Sequence, residues 1–142
     1  MSISSSVADS TEAPALPVIT MPAGLPAFTW ARRFVLVPWG SDDSPYSRLQ
    51  CLDDDELAFV VVEPSLFFPD YEPELDDAAV ERLALRDPAD ALVLVILTVG
   101  EGPHDTTANL LGPVVVNWRT RVAEQVILAD SEHGTRVPLA EG

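Results

Sequence analysis

The chain contains no lysine, one cysteine, two histidines and no apolar stretch of membrane-spanning length. Each shortage excludes something. With Cys51 alone no intramolecular disulfide can form, so a reducing compartment, the cytoplasm, is the expected location. One thiol and two imidazoles cannot complete a four-ligand structural zinc site from sulfur and nitrogen. His104 and His133 stand beside glycine and proline in loop-like sequence and are expected to face solvent rather than act as bases. The longest apolar run, residues 91–97, falls far short of the roughly 20 residues that cross a bilayer. Residues 1–17 show no basic segment followed by an apolar one, so no secretory signal is expected. The patterns GxGxxG, Walker A, GxSxG, HExxH and paired CxxC are all missing. No metal, no cofactor and no enzymatic activity are therefore expected.

What the chain has in excess is negative charge. Its 23 acidic residues against 8 basic ones, every one an arginine, give a formal charge of −15. Such a field repels nucleic-acid phosphates and anionic membrane surfaces, so neither is an expected partner. A basic protein surface is the complementary partner, and attraction over distance would speed its approach. A length of 142 residues suits one domain with a sizeable core.

The punctuation along the chain is dense, with 13 prolines and 7 glycines. Residues 1–17, rich in Ser, Ala and Pro, read as a mobile tail, residues 18–139 as one domain, and residues 140–142 as a short terminal tail. Short strands are expected at 18–21, 34–37, 47–52, 57–62, 91–99, 106–111, 114–117 and 124–128. Of these, 57–62 is β-branched and almost wholly apolar, the pattern of a central strand buried on both faces, and 91–99, rich in Leu, Val and Ile, is the strongest strand signal. One helix is expected after Asp76, which can cap it, with Leu75 and Val80 as a hydrophobic staple. Val80, Leu83 and Ala84 share one face, Arg82 and Arg86 sit towards its C-terminal end, and Asp87-Pro88 stops it. The fold class is mainly β: a small antiparallel barrel-like or sandwich domain with one short helix.

Chemistry is concentrated in two places. Residues 53–56 form a run of four acids, but counting from Asp53 the EF-hand positions six and twelve hold Ala58 and Pro64, so a solvated turn is expected there. Residues 67–74 place Phe67, Phe68 and Tyr71 beside Asp70, Glu72 and Glu74 in a loop stiffened by proline. Rigid aromatic area flanked by charge suits the anchoring of another polypeptide. The alternative is that Phe67 and Phe68 plug an open end of the barrel while the carboxylates face water. Acidity peaks here, with eight acids and two arginines between residues 70 and 90. Two other functions are open: a ligand-binding β-barrel without catalysis, and a hydrolase using carboxylates such as Asp53 or Asp70.

Six stretches occur together in one order: 19–28 (ITMPAGLPAF), 33–36 (RFVL), 57–64 (LAFVVVEP), 66–72 (LFFPDYE), 109–117 (NLLGPVVVN) and 125–128 (QVIL). In that order and spacing the chain resembles the flagellar assembly factor FliW family, over most of 18–139. Two positions depart from the family pattern: 12–17 is rich in Ala and Pro where a Gly-containing first strand is usual, and Ala27 replaces a Gly. The resemblance implies a small antiparallel barrel-like fold and a regulator with two protein partners. One is flagellin, held before export; the other is the translational repressor CsrA, drawn away from the flagellin message when the factor is free. Asn109 and Asn117, at the two ends of the 109–117 stretch, join Phe67, Phe68, Asp70, Tyr71, Glu72 and Glu74 as candidate partner-binding residues.

Overall fold

A computed structural model describes residues 18–25, 28–38, 45–100, 105–128 and 134–139. The tails expected over 1–17 and 140–142, residues 39–44, Ala27 and both histidines lie outside the described residues. The strands are β1 (Ile19–Thr20), β2 (Arg33–Pro38), β3 (Ser47–Cys51), β4 (Ala58–Val62), β5 (Ala91–Thr98), β6 (Thr107–Ala108), β7 (Val114–Asn117), β8 (Val122–Gln125) and β9 (Val137–Pro138). The described residues hold one α-helix, α1 (Asp77–Leu83), and two single-turn 3-10 helices, Pro64–Leu66 and Pro88–Asp90.

Seven strands close into a barrel in the order β4-β3-β2-β1-β8-β7-β5, with β5 pairing back onto β4. Of the two architectures expected, the closed barrel is the one adopted. The ladders are antiparallel except at the seam, where Thr20 of β1 pairs in parallel with Val122 of β8. Strands β6 and β9 extend the sheet from the far end of β5, through Leu97 and Thr98.

The unbroken apolar run of β5 has a direct cause. Alternate side chains of a strand point to opposite faces, and both faces of β5 are covered. Leu92 and Leu94 join Ile19, Phe34, Leu49 and Val61 inside the barrel. Val93, Val95 and Leu97 point outwards into a second core with Leu75, Ala79 and Leu83. Helix α1 and the loop before it thus lie on the outside of the barrel, over β5, Val115 of β7 and Val126. Strand β4 is buried on both faces only at Val61 and Val62; Ala58, Phe59 and Val60 are half-buried.

The helix begins as its sequence dictates. Asp76 accepts a hydrogen bond from the Ala79 N–H at 2.9 Å, and the staple residues Leu75 and Val80 both reach the outer core. Its end falls earlier than the apolar spacing suggests. Leu83 is the last helical residue, and Ala84 turns into the left-handed region at φ 53 with its side chain exposed. Ala84 N–H bonds to Glu81 O and Leu85 N–H to Val80 O, the Schellman arrangement that normally places glycine where Ala84 stands. Arg86 therefore lies beyond the helix. Two strands are also shorter or shifted: β6 covers only Thr107 and Ala108 of the expected 106–111, and β8 runs Val122–Gln125 rather than 124–128.

Candidate functional site

The loop after β4 is built by its prolines. Pro64 opens a 3-10 turn whose carbonyl accepts from Phe67 N at 3.0 Å and Phe68 N at 2.7 Å, and Phe68 O accepts from Tyr71 N at 3.0 Å. These bonds hold the aromatic residues on a preset backbone. Phe67 and Phe68 are half-buried against the outer core, and the Phe67 ring lies 6.2 Å from that of Tyr46, tilted by 31°. Each ring thus packs on the core and stays partly accessible to solvent. Leu66 is 59% exposed and is the apolar surface residue that reading 67–74 as the anchor set missed. Its signal was an apolar side chain directly before the two phenylalanines, on the turn that Pro64 sets.

Tyr71 does something different from its neighbours. Its side chain is only 8% exposed, and its hydroxyl donates to Leu110 O at 2.6 Å. It is a core tyrosine tying the loop to the segment after β6, not an exposed anchor. Burial pushes its phenol well above the ordinary tyrosine range. Asp70, Glu72 and Glu74 are exposed beside it. Further along, Asp76 caps α1, Asp87 caps the next 3-10 turn through Ala89 N, and Asp90 meets Arg119 at 3.6 Å. Asp70, Glu72, Glu74, Asp76, Asp77, Glu81 and Asp87 are all exposed, and together they give this face its outward negative field.

The two asparagines hold backbone rather than surface. Asn109 Oδ1 accepts from Leu111 N and Gly112 N at 3.1 and 2.9 Å, which closes the turn that ends β6. Asn117 is 0% exposed. Its Nδ2 donates to Leu83 O at 2.7 Å and Ala84 O at 3.2 Å, while its Oδ1 accepts from Arg119 N and Thr120 N. As a contact for a partner Asn117 is out of reach; it joins the end of α1 to the β7–β8 turn. An asparagine at a strand end before a polar turn was the available clue.

The acid run at 53–56 is more than a solvated turn at its first position. Asp53 Oδ2 accepts from Arg32 N and Arg33 N at 3.0 and 3.1 Å, and its Oδ1 takes the Arg33 guanidinium at 3.0 Å. The Arg32 N–H, then the Arg33 side chain, hold this carboxyl below its usual range. A carboxyl depressed on folding adds stability above its unfolded pKa and loses it as pH falls through the folded value. Asp53→Asn is therefore expected to flatten the acid limb of the stability curve below pH ~4 and leave its shape above pH ~6 unchanged. Urea melts from pH 2.5 to 7 check this; parallel curves for the two proteins would show that Asp53 contributes no linkage. Glu63, at the end of β4, moves the other way, because burial raises its carboxyl.

The barrel interior is filled by side chains, with Ile19, Phe34, Leu49, Val61, Val114 and Val116 all at 0% exposure. A recess of about 240 Å³ lies outside it, lined by Pro22, Ala23, Leu83, Val122 and Ala123 and by the Arg82–Glu124 pair. That ion pair is bidentate, at 2.9 and 2.6 Å, and links α1 to β8. Among the described residues no group of three or more His, Cys, Asp or Glu is placed to hold a metal ion. None of the described helices is long and apolar enough to cross a membrane.

Comparison with known proteins settles the kinship of this barrel. The family model described as FliW protein matches residues 3–139, nearly the whole chain. The chain belongs to the FliW family. A flagellar assembly factor FliW of Bacillus licheniformis is 46% identical over 116 residues, which cover 82% of this chain and 80% of that one. The Bacillus subtilis flagellar assembly factor FliW is 40% identical over 122 residues, covering 86% and 85%. A crystal structure of the flagellar assembly factor FliW superposes with a TM-score of 0.81 at 34% identity, covering 99% of this chain and 98% of that one. The closed barrel with one helix is thus the fold this chain shares with that structure.

Proposed function

We propose that this chain is a cytoplasmic, non-enzymatic flagellar assembly factor. It holds flagellin before export and, when free of it, antagonises the repressor CsrA and so restores flagellin synthesis. The observation that carries the reading is the surface built on the filled barrel. Leu66 and the rims of Phe67 and Phe68 stand on a hydrogen-bonded turn beside the exposed carboxylates Asp70, Glu72 and Glu74. A rigid apolar ridge loses little entropy when it is covered, and its charged flank steers a basic partner into place. The same filled interior disfavours a ligand-binding barrel, which needs an internal cavity. A hydrolase would need two carboxylates facing one cleft, whereas Asp53 is engaged by the Arg32–Arg33 backbone and Asp70 lies on an open surface.

The test is a titration of the chain with CsrA and with flagellin, separately and together, at low and high salt. Binding to both, weakened by salt, is expected; capture of neither at low ionic strength would overturn the proposal. Asp70→Lys with Glu72→Lys is expected to slow association by about 10-fold and shift the melting temperature by no more than a degree or two. Stopped-flow association and thermal melts separate the two effects. An unchanged association rate would move the docking face elsewhere.

A further inference from the structure

The two non-glycine residues with positive φ among those described, Ala84 at 53° and Arg121 at 65°, meet at one place. Neither position is comfortable for a residue with a Cβ, and strained residues persist only where their surroundings over-determine them. The surroundings here are Asn117. Its amide holds the carbonyls of Leu83 and Ala84, its Oδ1 holds the start of the β7–β8 turn, and its own carbonyl accepts from Arg121 N at 2.6 Å. Arg119 adds a second strut, donating to Ala84 O at 2.9 Å while facing Asp90. Arg121 stacks over the Trp118 ring at 4.2 Å and also donates to Trp118 O. On the other side of the turn, Arg121 O accepts from Thr20 N at 2.8 Å, beside the single parallel pairing of the described barrel.

We propose that Asn117 is a latch that couples the seating of helix α1 to the closure of the β1–β8 seam. In the latched state, the one described here, both strained residues are held left-handed and both elements are docked. In the released state Ala84 and Arg121 leave that region together, α1 loses its C-terminal anchor, and Thr20 loses Arg121 O. Two features bias the latch towards opening. A seven-residue helix has no stability of its own, and Asp77 and Glu81, four positions apart on it, repel one another. A cationic polypeptide laid on α1 would cancel that repulsion and close the latch, so that binding at the helix is felt at the seam. The coupling needs only a cationic ligand on α1 and does not depend on that ligand being CsrA or flagellin.

Native-state hydrogen exchange on the full chain tests the latch without any partner. The reporters are Leu85 N–H at the helix end, Thr20 N–H at the seam, and Leu94 and Val114, opposite one another in the β5–β7 ladder. Arg119→Ala removes an exposed strut and is expected to speed exchange at Leu85 and Thr20 by the same factor, about 10-fold or more. Leu94 and Val114 are expected to be unchanged. Ala84→Gly relieves the strain at the helix end and is expected to slow both reporters together. A response at Leu85 without one at Thr20 in either variant shows the helix cap and the seam to be independent and overturns the proposal. Equal changes at all four amides show a global stability effect and overturn it too. Should Arg119→Ala not fold, the Ala84→Gly comparison decides alone by the same criteria.

Discussion

Replacing Asn117 with alanine is expected to cost about 3–5 kcal/mol of folding stability, from a side chain that touches no solvent. The magnitude follows from what is left behind. Asn117 satisfies two carbonyls at the end of α1 and two N–H groups of the β7–β8 turn. A net intramolecular hydrogen bond is worth about 1 kcal/mol, but a buried group left without a partner costs roughly 1–3 kcal/mol. Arg119 still reaches Ala84 O in the variant, which keeps the loss below the full sum. Asn117→Asp should be no milder: it keeps the acceptor but turns an ionised oxygen towards two carbonyls. Urea unfolding measures the effect. A loss under about 1 kcal/mol would mean that water replaces the amide and that the junction does not depend on it.

The second large effect concerns Tyr71. Tyr71→Ala is expected to destabilise the fold by about 3–5 kcal/mol, the range for emptying a buried aromatic site. Tyr71→Phe should cost only about 1–2 kcal/mol, the share of the hydroxyl and of the Leu110 carbonyl it leaves unpaired. Association with a protein partner should survive Tyr71→Phe, because the hydroxyl faces inwards. Equilibrium unfolding and a binding isotherm on the same two variants separate core from contact. A Tyr71→Ala protein of normal stability and poor binding would return this residue to the docking surface. The contrast with Phe67 is physical: at position 67 the ring is shared between core and solvent, whereas at 71 a polar tip has found a buried acceptor.

The chemistry of single residues carried much of this into view. The cap at Asp76, the staple of Leu75 and Val80 and the long strand at 91–98 are local properties, readable because they depend on neighbours a few positions away. The shift of β8 was not readable, because its register is set against β7, where Val116 pairs with Ala123 and Val114 with Gln125. Val126, Ile127 and Leu128 look as strand-like in sequence as the residues that pair. Strand β6 stops early because the Asn109 side chain takes the N–H groups of Leu111 and Gly112 and turns the chain away from β5.

By itself the sequence determined an acidic, mainly β, single-helix domain with a proline-stiffened aromatic loop, since composition, periodicity and turn chemistry are written residue by residue. Only the tertiary structure decided that Tyr71 and Asn117 are internal, that Asp53 clamps the start of β2, and that Leu66 leads the exposed ridge. Those outcomes rest on partners 20 to 39 positions away. Which side of a strand or loop meets the core, and which carbonyl waits for a donor, depends on how the barrel closes.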